Sequence, residues 1–123
     1  MTSACTSMIS RGMDDHGNVE EVVFPQLTEA AQKRAIFVSE DNLSKVSAGV
    51  GKEDLYYLLG VPHFREAHGA REWDYVFKFN TLNGDLPQYC QYKVIFDKDM
   101  RAQFFYSLPE NCATEYSKSK KHK

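Results

Sequence analysis

The side chains able to do chemistry in this chain are three cysteines and a few histidines and acids. His63 and His68, with Glu66 between them, hint at a metal site. Zinc sites want three or four ligands in tighter order, so the expectation is a loop histidine bonded to backbone and no metal. Cys90 falls on an inward strand position without a positive neighbour to lower its pKa, which argues against a nucleophile. Glu72 and Asp74 share one strand face and read as solvated charges, not as an acid–base pair in a pocket. No glycine-rich phosphate loop is present. These patterns predict a protein that is not an enzyme and takes no cofactor.

Cys5 suggests a different chemistry. It follows Thr2-Ser3-Ala4, and small residues directly before a cysteine are similar to the end of a bacterial lipoprotein signal peptide. On that reading Ala4 would precede cleavage and Cys5 would become the acylated first residue. The charged and apolar regions of such a signal are missing here. An ordinary cysteine in a floppy N-terminus is the other reading.

The elements that must position these residues fit in one domain, since the chain has 123 residues. A composition 42% hydrophobic and 26% charged is that of a globular chain. A net charge of -2 argues against a nucleic-acid partner, which needs a concentrated positive footprint. No apolar run is long enough for a transmembrane helix. Residues 1–20 lack apolar periodicity and are expected to be a disordered tail carrying the lipidation candidate. The domain is expected over 21–113, with its core over 39–113, and 114–123, ending KSKKHK, as a basic tail or linker.

Within the domain, VVFPQ is a short extended piece, because Phe24 precedes Pro25. Thr28 is placed to cap a brief helix over Glu29 to Arg34, and AIFV at Ala35 to Val38 is again extended. Ser39 caps a helix with Glu40 and Asp41 in its first turn, Leu43 and Val46 on its apolar side, and Gly49 as its stop. A second helix runs from about Lys52 to Leu59, with Leu55, Leu58 and Leu59 as its stripe. Gly60 ends it and Pro62 prevents its resumption.

From Glu72 the period changes to two. Trp73, Tyr75, Phe77 and Phe79 point one way along a first strand; Cys90, Tyr92, Val94 and Phe96 do so along a second. Ala102, Phe104 and Tyr106 are expected to do so along a third. Alternation of this kind predicts an α+β fold: two helices packed on one face of a three-stranded antiparallel sheet, the other face open. Pairing Phe96 with Ala102 leaves Lys98 to Met100 as the loop, whose third residue normally takes the left-handed conformation that suits glycine. Met100 stands there, a local strain.

The same register places Cys90 near Leu108, four residues short of Cys112, and predicts a disulfide between the two cysteines over two free buried thiols. Closing a loop of about 22 residues would be worth ~3 kcal/mol. On the open face the register gathers Val76, Ile95 and Phe105, with Lys93 opposite Phe105, into a candidate protein-docking patch. Scattered surface apolars are the alternative. Phe64, on the loop from Pro62 to Gly69, and the loop from Thr81 to Gln88 form a second candidate surface.

Taken together, SEDNLSKVSAGVGKEDLYYLLGVPHF, REWDYVFKF and CQYKVIFDKDMRAQFFY resemble the BamE (SmpA/OmlA) domain of bacterial outer-membrane lipoproteins. The matching positions are Leu43, Val46, Gly49, Val50, Leu55, Leu59, Gly60, Pro62, Trp73, Tyr75, Phe77, Phe96 and Asp97, across about residues 36–107. The H-F-x-E after Pro62, E-W-D-Y and the two cysteines look closest to modules that precede an OmpA-like, peptidoglycan-binding half. Gly51 departs from the family's usual Thr or Ser cap, and a peptidoglycan-binding half downstream is an expectation. The resemblance implies an acylated cysteine in the outer membrane, exposure to the periplasm, and a role in outer-membrane assembly or envelope integrity by protein contact. Secreted β-lactamase-inhibitory proteins have similar helix–helix–sheet units and are the alternative, although they usually carry two in tandem.

Overall fold

A computed structural model describes residues 10–65, 70–79, 88–110 and 112–113. The loop residues 66–69 and 80–87, Cys5 and the basic tail lie outside the described residues. Along the chain come α1 (Glu29–Lys33), α2 (Glu40–Ser44), α3 (Lys52–Leu59), β1 (Phe64–Arg65), β2 (Glu72–Phe79), β3 (Gln88–Phe96) and β4 (Ala102–Leu108). The strands form one antiparallel sheet in the order β1-β2-β3-β4.

The helices start where local chemistry favours it. The hydroxyls of Thr28 and Ser39 accept the N–H groups of Ala31 and Asn42, so α1 and α2 begin on side-chain caps. α3 begins on Gly51 without such a cap, and Glu53 and Asp54 supply the favourable charge of its first turn. α2 is shorter than expected. After Ser44 the Lys45 and Val46 amides bond three residues back, to Asn42 and Leu43, so the helix tightens and ends before Gly49. Val46 still packs against the core from the segment beyond the helix.

One face of the sheet carries the main core. Trp73, Tyr75, Phe77 and Phe79 of β2 and Cys90, Tyr92, Val94 and Phe96 of β3 are buried against Leu43, Leu55 and Leu59. Polar ties fix the helices on this face. Asn42 Nδ2 donates to the Leu58 carbonyl at 3.2 Å, and Tyr75 O–H donates to the Gly60 carbonyl at 2.9 Å. The expected α+β architecture is therefore present, with α2 and α3 on one face of three long antiparallel strands.

The other face is not open, which corrects the two-layer picture. From Ser10 the chain runs across it, so the expected disordered tail is instead ordered from residue 10. Ser10, Gly17, Pro25, Ala31 and Ala35 are buried along this strap. Gly17 shows how closely it approaches. Its φ is +92°, and a Cβ there would meet Phe104 at 3.4 Å and Ile95 at 3.5 Å. At Ile36 the strap reaches the sheet edge, where its amide and carbonyl pair in parallel with Val76 and Lys78 of β2. Val38 then enters the main core on the opposite face.

A second correction concerns β4. Phe96 pairs with Ala102 as expected, but a bulge follows and Ile95 pairs with Phe104. One extra residue reverses the facing of everything after it. Phe105 therefore stacks on Tyr92 in the main core, centroids 6.3 Å apart, while Phe104 and Tyr106 stand on the strap side opposite Ile95 and Lys93. The strained turn does occur: Met100 has φ +64°. Asp97 organises it, its carboxylate accepting the Asp99 and Arg101 amides and the Gln103 side chain. These bonds hold the Asp97 carboxyl below the usual range.

Candidate functional site

Beneath the strap lies a cluster of charged groups that the alternation of β2 and β3 builds directly. Glu72 and Asp74 are two residues apart on β2, so they share a face, and Lys93 sits across from Asp74 on β3. The Lys93 ammonium, fully buried, donates to Glu72 Oε1 at 2.6 Å and to Asp74 Oδ2 at 2.9 Å. Its third side faces the ring of Phe24 from the strap, 5.7 Å to the centroid.

The strap completes the cluster. Ser10 N–H donates to Glu72 Oε2 at 2.7 Å, and its hydroxyl donates to Glu72 Oε1 at 3.2 Å while accepting the Val23 N–H at 3.0 Å. Gln91, next along the same face, donates to the Pro25 carbonyl at 2.7 Å. Asp74 Oδ1 is buried without a hydrogen-bond partner among the described residues. Burial, opposed by Lys93 and reinforced by Glu72, pushes the Asp74 carboxyl up to about 7.

At the far end of the strap His63 makes a further polar tie. Its Nδ1 accepts the Val76 N–H at 3.2 Å, so Nε2 carries the proton and donates to the Arg34 carbonyl at 2.8 Å. Partial burial holds this imidazole below its ordinary pKa, hence neutral. It is the backbone-bonded loop histidine that its position suggested.

Most of the proposed docking patch is therefore inside the molecule. Val76, Lys93 and Ile95 are each at most 1% exposed beneath the strap, and Phe105 belongs to the main core. Phe64, half-buried on β1, packs with Val76, Ala31 and Ala35 and lies 5.9 Å from the Arg34 guanidinium. Sequence reasoning missed the cluster because it treated Glu72 and Asp74 as solvated charges and Lys93 as part of an exposed docking patch. The signal was there: opposite charges directly across a strand pair, next to apolar stretches at 22–24 and 35–38 that themselves needed somewhere to pack. The large apolar side chains left at the surface include Tyr57, Val61 and Phe37, with Tyr57 87% exposed.

The disulfide joins Cys90 in the main core to Cys112 beyond β4. It forms although the bulge sets Leu108 opposite Gln91 instead of Cys90. With Cys90 oxidised and His63 locked by two bonds, neither is poised for nucleophilic or proton-transfer chemistry. Among the described residues no three His, Cys, Asp or Glu side chains are grouped to hold a metal ion. No described helix is long and apolar enough to cross a membrane.

Comparison with known proteins assigns the fold to a family. A curated relative, the outer membrane protein assembly factor BamE of Polynucleobacter necessarius subsp. necessarius (strain STIR1), is 29% identical over 68 residues. The match takes in 55% of this chain and 30% of the relative, so it spans less than a third of that protein's length. The family model described as the outer membrane protein assembly factor BamE domain matches residues 35–106. That interval holds α2, α3 and all of the sheet except the last two residues of β4, and it covers more than half of the chain. The chain belongs to the BamE domain family.

Proposed function

We propose that this chain is the folded module of a non-enzymatic outer-membrane lipoprotein that assists the assembly of outer-membrane proteins and envelope integrity through protein contacts. The observation that carries this reading is the family match over residues 35–106, which coincides with the two-helix and sheet core and not with a short motif. The disulfide fits an oxidising compartment such as the periplasm. On this reading Cys5 carries the lipid and places the domain on the periplasmic face of the outer membrane. With Val76, Lys93, Ile95 and Phe105 covered, contacts fall to surfaces outside the strap-covered face, among which the exposed Tyr57 and Val61 are the first to examine.

The test is to express the protein behind its native leader in a diderm bacterium and to analyse it by mass spectrometry and affinity capture. An acylated Cys5 together with co-purification of outer-membrane assembly components supports the proposal. An unmodified Cys5 in a freely released periplasmic protein, or nanomolar inhibition of a β-lactamase, overturns it.

A further inference from the structure

The two faces of the sheet are covered by very different means. On the helix side the cover is large apolar side chains, Leu43, Leu55 and Leu59 against four aromatic residues of β2. On the strap side the strap's own fully buried hydrophobic residues are small, Pro25, Ala31 and Ala35, over Val76 and Ile95 of the sheet, with Phe24, Leu27, Phe64 and Tyr89 partly buried beside them. The strap is held instead by discrete polar ties. Ser10 holds Glu72, Gln91 holds the Pro25 carbonyl, Arg71 donates to the Asp14 carbonyl, the Lys98 amide donates to the Asp15 carbonyl, and His63 holds Arg34. An element that buries no large apolar side chain of its own completely and rests on discrete polar ties opens at lower free energy than the core beside it.

From this geometry we propose that residues 10–35 open as a unit from the sheet, and that the Glu72–Asp74–Lys93 cluster with Ser10 is the proton-operated latch at their leading end. Two carboxylates share one ammonium in a site sealed by Ser10 and Phe24. When Asp74 holds a proton, the cluster is a carboxylic acid, a carboxylate and an ammonium, with no net charge. When Asp74 loses it, one negative charge is left over in a buried site, and lifting the strap to admit water relieves it.

The sign follows from linkage. The closed form holds the Asp74 proton up to about pH 7, whereas an open, hydrated carboxyl releases it near 3.8. Protons therefore favour the closed form: the latch is tight in acid, weakens as pH rises towards 7, and is slack above it. The neighbouring groups do not reverse this. Glu72 and Lys93 are the charged partners, Tyr106 lies opposite Lys93, Phe64 lies opposite Asp74, and Arg11 and Glu21 of the strap pair with each other at the surface. His63 works the other end with the opposite sign. Its imidazole is neutral when closed, so its tie to Arg34 loosens as pH falls below 6.5.

Amide hydrogen exchange between pH 5 and 8, corrected for intrinsic rates, tests the latch. The Ser10 amide, donated to Glu72, and the Lys98 amide, donated to the Asp15 carbonyl, cross between strap and sheet and report the strap's leading end; Val94, paired with Trp73, and the Phe96 amide, donated to the Arg71 carbonyl, report the core. The expected result is an opening constant at Ser10 and Lys98 that rises by up to tenfold per pH unit between 5 and 7 and levels off above, with the core unchanged. Asp74→Asn should abolish that rise, leaving only the opposite dependence of His63 below 6.5; Ser10→Ala should raise opening at every pH and keep the rise. A rise with pH that survives in D74N, or strap and core amides that exchange together, overturns the proposal. If D74N does not fold, the wild-type Asp74 carboxyl carbon decides by NMR. Titration near 7 supports the latch, and titration near 3.8 overturns it.

Discussion

Lys93 is the residue on which the strap side of the fold turns. Its ammonium is fully buried and balances two carboxylates at once. Pairs of this kind add little net stability compared with an apolar replacement of the whole group, but removal of one partner leaves charge buried without compensation. Lys93→Met should therefore destabilise the protein by about 3–5 kcal/mol in urea unfolding at neutral pH. Lowering the pH should recover part of this loss, because protonation of the carboxylates removes the stranded charge. A stability change below about 1 kcal/mol would show that the cluster is hydrated and that its burial counts for little. Met100 is the contrasting case. Its left-handed backbone was legible from loop length alone, because a three-residue hairpin loop demands that geometry whatever residue stands there.

At the scale of elements, the helices and the inward faces of β2 and β3 were legible, because caps and period-two alternation are local signals. The bulge was not. Nothing in Arg101 to Phe105 marks where the extra residue sits, and an aromatic pair at Phe104-Phe105 lets either ring face the core. That ambiguity moved Phe105 from one side of the sheet to the other. The disulfide was read correctly from a register one residue off, since Cys112 lies on a segment free to follow the chain after Pro109. Replacing both cysteines by alanine should cost about 3 kcal/mol, the entropy of an untied loop spanning 22 residues. Thermal unfolding measured with and without reductant checks it: the wild type should fall to the level of the double variant when reduced. Equal melting temperatures for oxidised and reduced wild type would mean that the helix-side core alone sets stability.

For the whole molecule, the strap converts the position of Cys5 into a geometric constraint. It was not foreseeable from composition, because residues 10–20 are polar and gain their order from what they cover. If Cys5 carries the proposed lipid, the first described residue bonded to the sheet is Ser10, five residues later. Five residues span at most about 17 Å, so a latched domain is held close against the bilayer. With the strap lifted, the first fixed point becomes Ile36, thirty-one residues from the anchor. A flexible chain of that length has a root-mean-square span on the order of 30 Å and reaches further when extended. The lipidated protein on a supported bilayer, measured by neutron reflectometry, distinguishes the two states. Wild type near pH 5.5 should form a thin layer against the headgroups. Ser10→Ala combined with Gln91→Ala, which removes the Ser10 hydroxyl bonds to Glu72 and Val23 and the Gln91 bond to Pro25, should give a thicker layer displaced outward by roughly 10–20 Å. Identical profiles would show that the strap does not set the reach of the domain, and that contacts of the domain itself with the membrane do.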